Sequence, residues 1–233
     1  MRDEQSCYWD EFYRKTKRAW KGLTELPIRL VGDERILELG CGDGKTMSAL
    51  ENSGNYLVGV DFSSNALKTC RRRFYMSQKI DFLRADVSFL PFRNRSFDIV
   101  IAFHIFEHLR SNERSIVVSE VKRVLIPDGI LLLRVFSVED MRFGAGERLD
   151  DSTFIKGTGI IIHYFNEDEV LRLLDGMTIK RISKVEKEKN YGGHRVKRSY
   201  IEVVAENREP SDFFLSTMNK NLSMKVIADY IVH

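Results

Sequence analysis

Ile36-Leu37-Glu38-Leu39-Gly40-Cys41-Gly42-Asp43-Gly44 is a short apolar run halted by glycines at alternate positions, and the rest of the 233-residue chain is best read outward from it. Three glycines at i, i+2 and i+4 directly after a strand let the backbone turn sharply and leave room for a ligand against the main chain. Their spacing narrows the ligand. A G-x-G-x-x-G dinucleotide fingerprint starting at Gly40 requires glycine where Lys45 stands. The phosphate-binding pattern G-x-x-x-x-G-K-[ST] fails as well, although Gly44-Lys45-Thr46 imitates its end. Taken alone, the loop could also be a turn that holds no ligand.

On the C-terminal side the elements alternate. A helix-like Lys45 to Asn52 precedes a strand, Tyr56 to Val60, that ends at Asp61. A helix around Asn65 to Met76 leads to a third strand, Ile80 to Arg84, and to Asp86. Phe97 to Ala102 and Ile130 to Phe136 are the fourth and fifth strands, with a helix from Ser111 to Leu125 between them. Strands separated by helices predict an α/β fold: a doubly wound, mainly parallel sheet with helices on both faces. Ser137 to Ile162 has no clear period and predicts an irregular insertion or lid. A helix near Glu167 to Leu174, capped by Asn166, then strands near Thr178 to Val185 and Ser199 to Ala205, precede a tail from Asn207. At the other end, Tyr8, Trp9, Phe12, Tyr13 and Trp20 are spaced for an amphipathic helix. The implied partition is an N-terminal helical segment over 1–30, a ligand-binding domain over 31–206 with an insertion at 137–165, and a tail over 207–233.

In such sheets ligands bind at the carboxyl ends of the strands, near the point where strand order reverses. Asp61 lies 17 residues after Gly44, where a carboxylate can accept from both hydroxyls of an unphosphorylated ribose. Asp86 can receive an adenine amino group while the amide of Val87 meets a ring nitrogen. Either aspartate alone is more often a turn or cap residue. Both together, behind a glycine loop, favour a nucleoside-bearing ligand.

Composition sets the frame. At 43% hydrophobic and 30% charged the chain can bury one sizeable core, which excludes disorder, collagen and coiled coil. No stretch approaches the roughly 18 apolar residues of a membrane helix, and Ile130 to Phe136 is interrupted by Arg134. The N-terminus lacks an apolar signal core, and Cys7, Cys41 and Cys70 cannot all pair within one chain. These features predict a cytoplasmic, reduced protein with no membrane partner. The formal charge of +3 neither requires nor excludes RNA. Three basic clusters stand out: Arg14, Lys15, Lys17, Arg18 and Lys21; Lys68 with Arg71 to Arg73; and Lys180 to Arg198, diluted by Glu186 and Glu188.

Over roughly residues 30 to 135 the chain resembles the class I S-adenosylmethionine-dependent methyltransferases, of the small, single-domain, type 11-like branch. The ordered parts are Glu38 to Gly44; Val58-Gly59-Val60-Asp61; Ala85-Asp86-Val87 with Leu90-Pro91-Phe92; Ser96 to Val100 running into Glu107-His108-Leu109; and Val124-Leu125-Ile126-Pro127-Asp128-Gly129. In the family the last piece more often reads proline-glycine-glycine, and Asp128 departs from it. The resemblance implies a Rossmann-like, seven-stranded sheet and S-adenosyl-L-methionine as cofactor. It places the methionine moiety at Glu38, Gly40, Cys41, Gly42 and Gly44, the ribose at Asp61, the adenine at Phe62, Asp86 and Val87, and the methionine amino group near the backbone of Ala102 and Phe103. It also implies that the N-terminal segment covers the cofactor.

Methyl transfer from a sulfonium needs positioning first, and a general base only where the acceptor atom carries a proton. His104 and His108, which follow the fourth strand, are the nearest candidate bases. His163 and Tyr164, at the end of the insertion, are candidates to reach down over the acceptor. His104 to His108 also spells H-x-x-E-H, known from zinc peptidases, but no further cluster of metal ligands accompanies it and no metal is expected. The layout predicts a small-molecule acceptor, with RNA, tRNA included, or a catalytically silent partner subunit as alternatives. The Asn-Pro-Pro-Tyr-type signature of exocyclic-amine methylation is absent after the fourth strand, where Phe103-His104-Ile105-Phe106 stands.

Overall fold

The computed structural model describes residues 2–16, 24–191 and 194–208. Trp20, most of the first basic cluster (Lys17, Arg18 and Lys21) and the tail beyond Arg208 lie outside the described residues.

The five expected parallel strands form as β1 (Arg35–Leu39), β2 (Tyr56–Asp61), β3 (Ile80–Arg84), β4 (Phe97–Phe103) and β5 (Leu125–Phe136). With β9 (Thr178–Tyr191) and β10 (His194–Glu206) they make one seven-stranded, mostly parallel sheet in the order β3-β2-β1-β4-β5-β10-β9, a Rossmann-like arrangement. Strand order reverses between β1 and β4, so the crevice at their carboxyl ends lies between the glycine loop and His104.

Alternation along the strands distributes the core between two faces. Leu37, Leu39, Val100, Ala102, Leu131 and Leu133 pack with Val117, Val121 and Val124 of α4 (Ser111–Val124) and Val170 of α5 (Glu167–Leu173). Ile36, Ile99, Ile101 and Leu132 face the other way. They meet Met47 and Leu50 of α2 (Lys45–Leu50) and Leu67 and Cys70 of α3 (Ser64–Arg73). Because both faces are covered, these strands read as continuous apolar runs rather than alternating ones. Arg134 is tolerated in β5 because it lies opposite Glu202 on β10, pairs with it, and lays its guanidinium 4.1 Å from the Phe103 ring centroid.

Two expectations change. The insertion is not irregular throughout: β6 (Glu147–Arg148), β7 (Thr153–Ile155) and β8 (Ile161–His163) form a small antiparallel sheet around Phe154, Ile160, Ile162 and Tyr164. The last two strands are far longer than their apolar stretches. Only Tyr200 to Glu206 pairs with β5, and the remainder of the hairpin continues past the sheet as a two-stranded ribbon. Its charged residues hide that continuation from a hydropathy reading. The third basic cluster lies on this ribbon and is largely neutralised, with Lys180 on Glu206, Lys184 on Glu139 and Lys197 on Glu186. Asn166 caps α5 as expected, accepting from the Glu169 amide at 2.8 Å. Among the described residues no helix is long and apolar enough to cross a membrane.

Candidate functional site

The glycine loop closes on itself through the Gly44 amide, which donates to the Cys41 carbonyl at 2.9 Å, and the Cys41 amide ties it to β2 at Val60. Gly40 and Gly42 have φ of 64° and 54°, left-handed values that favour glycine. A Cβ on Gly40 would lie 2.8 Å from Ile105, and one on Gly42 would lie 2.4 Å from the Tyr13 hydroxyl. Cys41 points away from the crevice: it packs on Gly59, and its thiol pKa is pushed up by the neighbouring Cys70 and by burial.

Two carboxylates stand behind the loop. Asp61 accepts from the Gly42 amide at 2.9 Å and the Ser63 amide at 2.8 Å, and burial raises its pKa to about 6. Glu38 is 4% exposed, and burial raises its pKa to about 8 against the hydrogen bond from Thr46. Its Oε2 is buried without a partner. Buried carboxyl groups with raised pKa values and acceptor capacity unspent suit a ligand that brings hydroxyls and positive charge. A phosphate in the same place would meet two acids.

The expected adenine end is less occupied by side-chain chemistry. Asp86 Oδ1 accepts from the Ser88 amide at 2.8 Å, Val87 is buried in the core, and the Phe62 carbonyl accepts from Arg84 at 2.9 Å. Ala102 and Phe103 are buried at the end of β4, beside the loop.

His104 follows with φ 58°, a left-handed value for a non-glycine residue of the kind that concentrates at functional sites. Its Nδ1 lies 2.8 Å from Glu107 Oε1, and its ring stacks on Phe136 at 4.5 Å. With Glu107 accepting as a carboxylate, Nδ1 is the donor of this pair, and Nε2 is the nitrogen left to face an acceptor. Glu107 is wholly buried, and its Oε2 has no partner. Nothing in the sequence assigned it a role, although its i+3 spacing from His104 is the signal that could have.

The other candidates are engaged elsewhere. His108 sits not on α4 but on a single 3-10 turn, Phe106–His108; its Nδ1 lies 2.8 Å from the Ile161 carbonyl, and burial lowers its pKa. His163 has both ring nitrogens occupied, by Thr153 at 2.7 Å and Glu169 at 2.9 Å. Tyr164 is fully buried, and its hydroxyl donates to the Arg142 carbonyl at 2.9 Å. Among the described residues no three metal-ligating side chains converge.

The N-terminal helix α1 (Arg2–Lys15) lies across this crevice. Asp10 accepts from the Ser63 hydroxyl at 2.7 Å and from the Asn65 amide at 2.9 Å, at the start of α3. Trp9 meets the His108 ring edge-on at 4.7 Å, and Gln5 bonds Gly159 and Ile161 of the insertion. The helix thereby ties the glycine-loop side to the insertion. Nothing in the sequence singled out Asp10.

A family model described as a methyltransferase domain matches residues 37–133. A demethylmenaquinone methyltransferase of Clavibacter sepedonicus is 34% identical over 120 residues, covering 52% of this chain and 48% of that protein. A tRNA N(3)-methylcytidine methyltransferase of Drosophila melanogaster is 28% identical over 189 residues, covering 70% and 58%. The chain thus spans about half the length of the curated relatives it matches. Among solved structures, a SAM-dependent methyltransferase of Methanosarcina mazei superposes with a TM-score of 0.69 at 26% identity, covering 80% of this chain and all of that one.

Proposed function

Because the chain belongs to the class I S-adenosylmethionine-dependent methyltransferases, we propose that it transfers a methyl group to a small-molecule acceptor whose reacting atom carries a proton. The observation that carries this reading is the His104–Glu107 pair at the carboxyl end of β4, facing the glycine loop across the switch point. When bound, S-adenosyl-L-methionine supplies a methyl on a sulfonium, whose sulfur keeps the bonding electron pair and departs as a thioether. Everything else falls to the protein. Glu38 takes the positive charge of the amino-acid moiety with help from the backbone at Ala102 and Phe103. Asp61 accepts from the ribose hydroxyls, and Phe62, Asp86 and Val87 border the adenine. The glycine loop allows close approach, and α1 over the crevice excludes water.

His104 Nε2 takes the proton of the acceptor atom as that atom's lone pair bonds to the methyl carbon, and Glu107 holds the ring in the productive tautomer and balances the imidazolium that results. The proton leaves to water after product departs. His163 and Tyr164 act as supports of the insertion rather than as bases, since their polar atoms are already engaged, and His108 is tied through Nδ1 to the Ile161 carbonyl of the insertion.

A second reading, methylation of RNA, draws on the tRNA methyltransferase relatives and on an open groove of about 520 Å³ between α1 and α3. Arg14, Lys68, Arg71 and Arg72 line it beside Tyr13, and among the described residues Lys68 and Arg72 have no acidic partner. One experiment separates the readings: incubation with methyl-labelled cofactor and fractionated cell extract. Label in a low-molecular-weight fraction supports the first, and label in RNA replaces it with the second. S-adenosylhomocysteine formed with no fraction at all would leave a silent partner subunit.

A further inference from the structure

Phe136, at the end of β5, carries more than His104. The Arg142 guanidinium lies 4.0 Å from its ring centroid and that of Arg198 lies 5.5 Å away. Both arginines are held by one buried acid. Asp140, 3% exposed, accepts on Oδ1 from Arg142 Nε at 2.8 Å and on Oδ2 from Arg198 Nε at 2.8 Å and the Ser199 amide at 3.1 Å. Its oxygens are thereby spent. Burial opposes its ionisation, but the two guanidinium groups lower its pKa and keep it a carboxylate. One carboxylate therefore serves two guanidinium groups, and Arg142 Nη2 is buried with no hydrogen-bond partner. An unsatisfied buried guanidinium nitrogen is costly unless something accepts from it.

We infer that this cluster is the docking point for an anionic group of the methyl acceptor, a carboxylate or phosphate held by Arg142 and Arg198 while the acceptor atom lies at His104. The inference rests on the methyltransferase reading and deepens it. Planar guanidinium groups match a carboxylate in bidentate fashion, and Asp140 fixes their orientation before the ligand arrives. His104 and Arg142 lie on opposite faces of the Phe136 ring, 4.5 and 4.0 Å from its centroid, so an acceptor of small-metabolite size that passes the ring edge reaches both. A neutral quinone would leave the cluster unmatched.

The test uses the full chain saturated with S-adenosylhomocysteine and three probes of one shape, benzoate, phenyl phosphate and benzamide, with binding followed by ligand-observed NMR. At least one anion should bind about tenfold or more tightly than benzamide, as one charge-assisted hydrogen bond predicts. Benzoate ahead of phenyl phosphate identifies a carboxylate acceptor, and the reverse order a phosphate. Arg142→Gln should abolish the advantage while S-adenosylhomocysteine affinity stays the same. Arg142→Lys, which keeps the charge but not the planar fork, should reduce it several-fold even if the glutamine variant does not fold. Equal binding of anions and benzamide, or an advantage that survives in both variants, overturns the inference. Failure of S-adenosylhomocysteine itself to bind would instead overturn the methyltransferase reading.

Discussion

Around Gly40 to Gly44 the crevice wall is main chain backed by two buried acids, whereas around Phe136 it is made of side chains drawn from β5, the insertion and β10. On the proposed reading the first side can be copied between proteins with different acceptors, because backbone and a carboxylate would recognise the parts of a cofactor that never vary. The second is assembled from residues more than 60 positions apart, from Phe136 to Arg198, and can change without disturbing the first. The same division is visible in charge. The loop side holds acids that are incompletely ionised, while the insertion side holds an excess of cations.

If the two sides are separable, His104→Ala should lower the rate of S-adenosylhomocysteine formation roughly 10²- to 10⁴-fold, the worth of a positioned base, and leave cofactor affinity unchanged. Glu107→Gln should give a smaller loss with a displaced pH profile. A parallel loss of cofactor affinity, measured by calorimetry, would mean that the sides are not independent.

Asp61→Ala should do the reverse, weakening S-adenosylhomocysteine binding roughly 100-fold by removing a charged acceptor and leaving the Gly42 and Ser63 amides unsatisfied. Unchanged affinity would remove the ribose assignment.

The acids also make a pH signature. Glu38, about 8 in the free protein against 4.5 when unperturbed, binds more protons folded than unfolded between those values. The contribution of Glu38 to the stability of the unliganded protein is therefore lost as pH rises from 6 to 8, a window in which Asp10, Asp98 and Asp140, with lowered pKa values, stay ionised and His108, with its pKa lowered by burial, acts in the opposite sense only near its ordinary value of 6.5. Bound ligand that pairs with the Glu38 carboxylate offsets the loss. The thermal shift caused by S-adenosylhomocysteine should thus grow between pH 6 and pH 8, and a constant shift would show that Glu38 does not face the ligand's charge. Glu38→Gln should flatten the dependence.

Smaller effects follow at the edges of the cleft. Asp10→Ala frees α1 from the start of α3 and should speed S-adenosylhomocysteine release by up to about tenfold in stopped flow, consistent with losing capping interactions of about 1 kcal/mol each. Asp128 adopts φ 60° where the family's pattern has glycine, so Asp128→Gly should stabilise the fold by up to about 1 kcal/mol in denaturant unfolding with no change in binding.

The legibility of the two sides differs for the same reason as their construction. β1, the loop, Asp61 and Asp86 are legible because each functional group sits at the end of a strand, where period and glycine spacing mark it. Asn166 as a cap was legible for the same local reason. The long β9–β10 ribbon was not, since its stability comes from cross-strand pairing of charged residues rather than from an apolar stripe. Glu107 lay in full view between His104 and His108, yet only its burial and its bond to Nδ1 distinguish it from a surface acid. Nothing near Asp10 or Asp140 in the chain announces a partner 55 or 58 residues away.

By itself the sequence determined the doubly wound sheet and the switch-point crevice, because parallel strands and glycine turns impose local, periodic constraints on residue type, while the cofactor class came with the family resemblance of its motifs. Only the tertiary structure decided that a buried Glu107 holds His104, that α1 spans the cleft, and that two arginines meet on Phe136. Those outcomes depend on distances between segments remote in the chain, which no local pattern encodes.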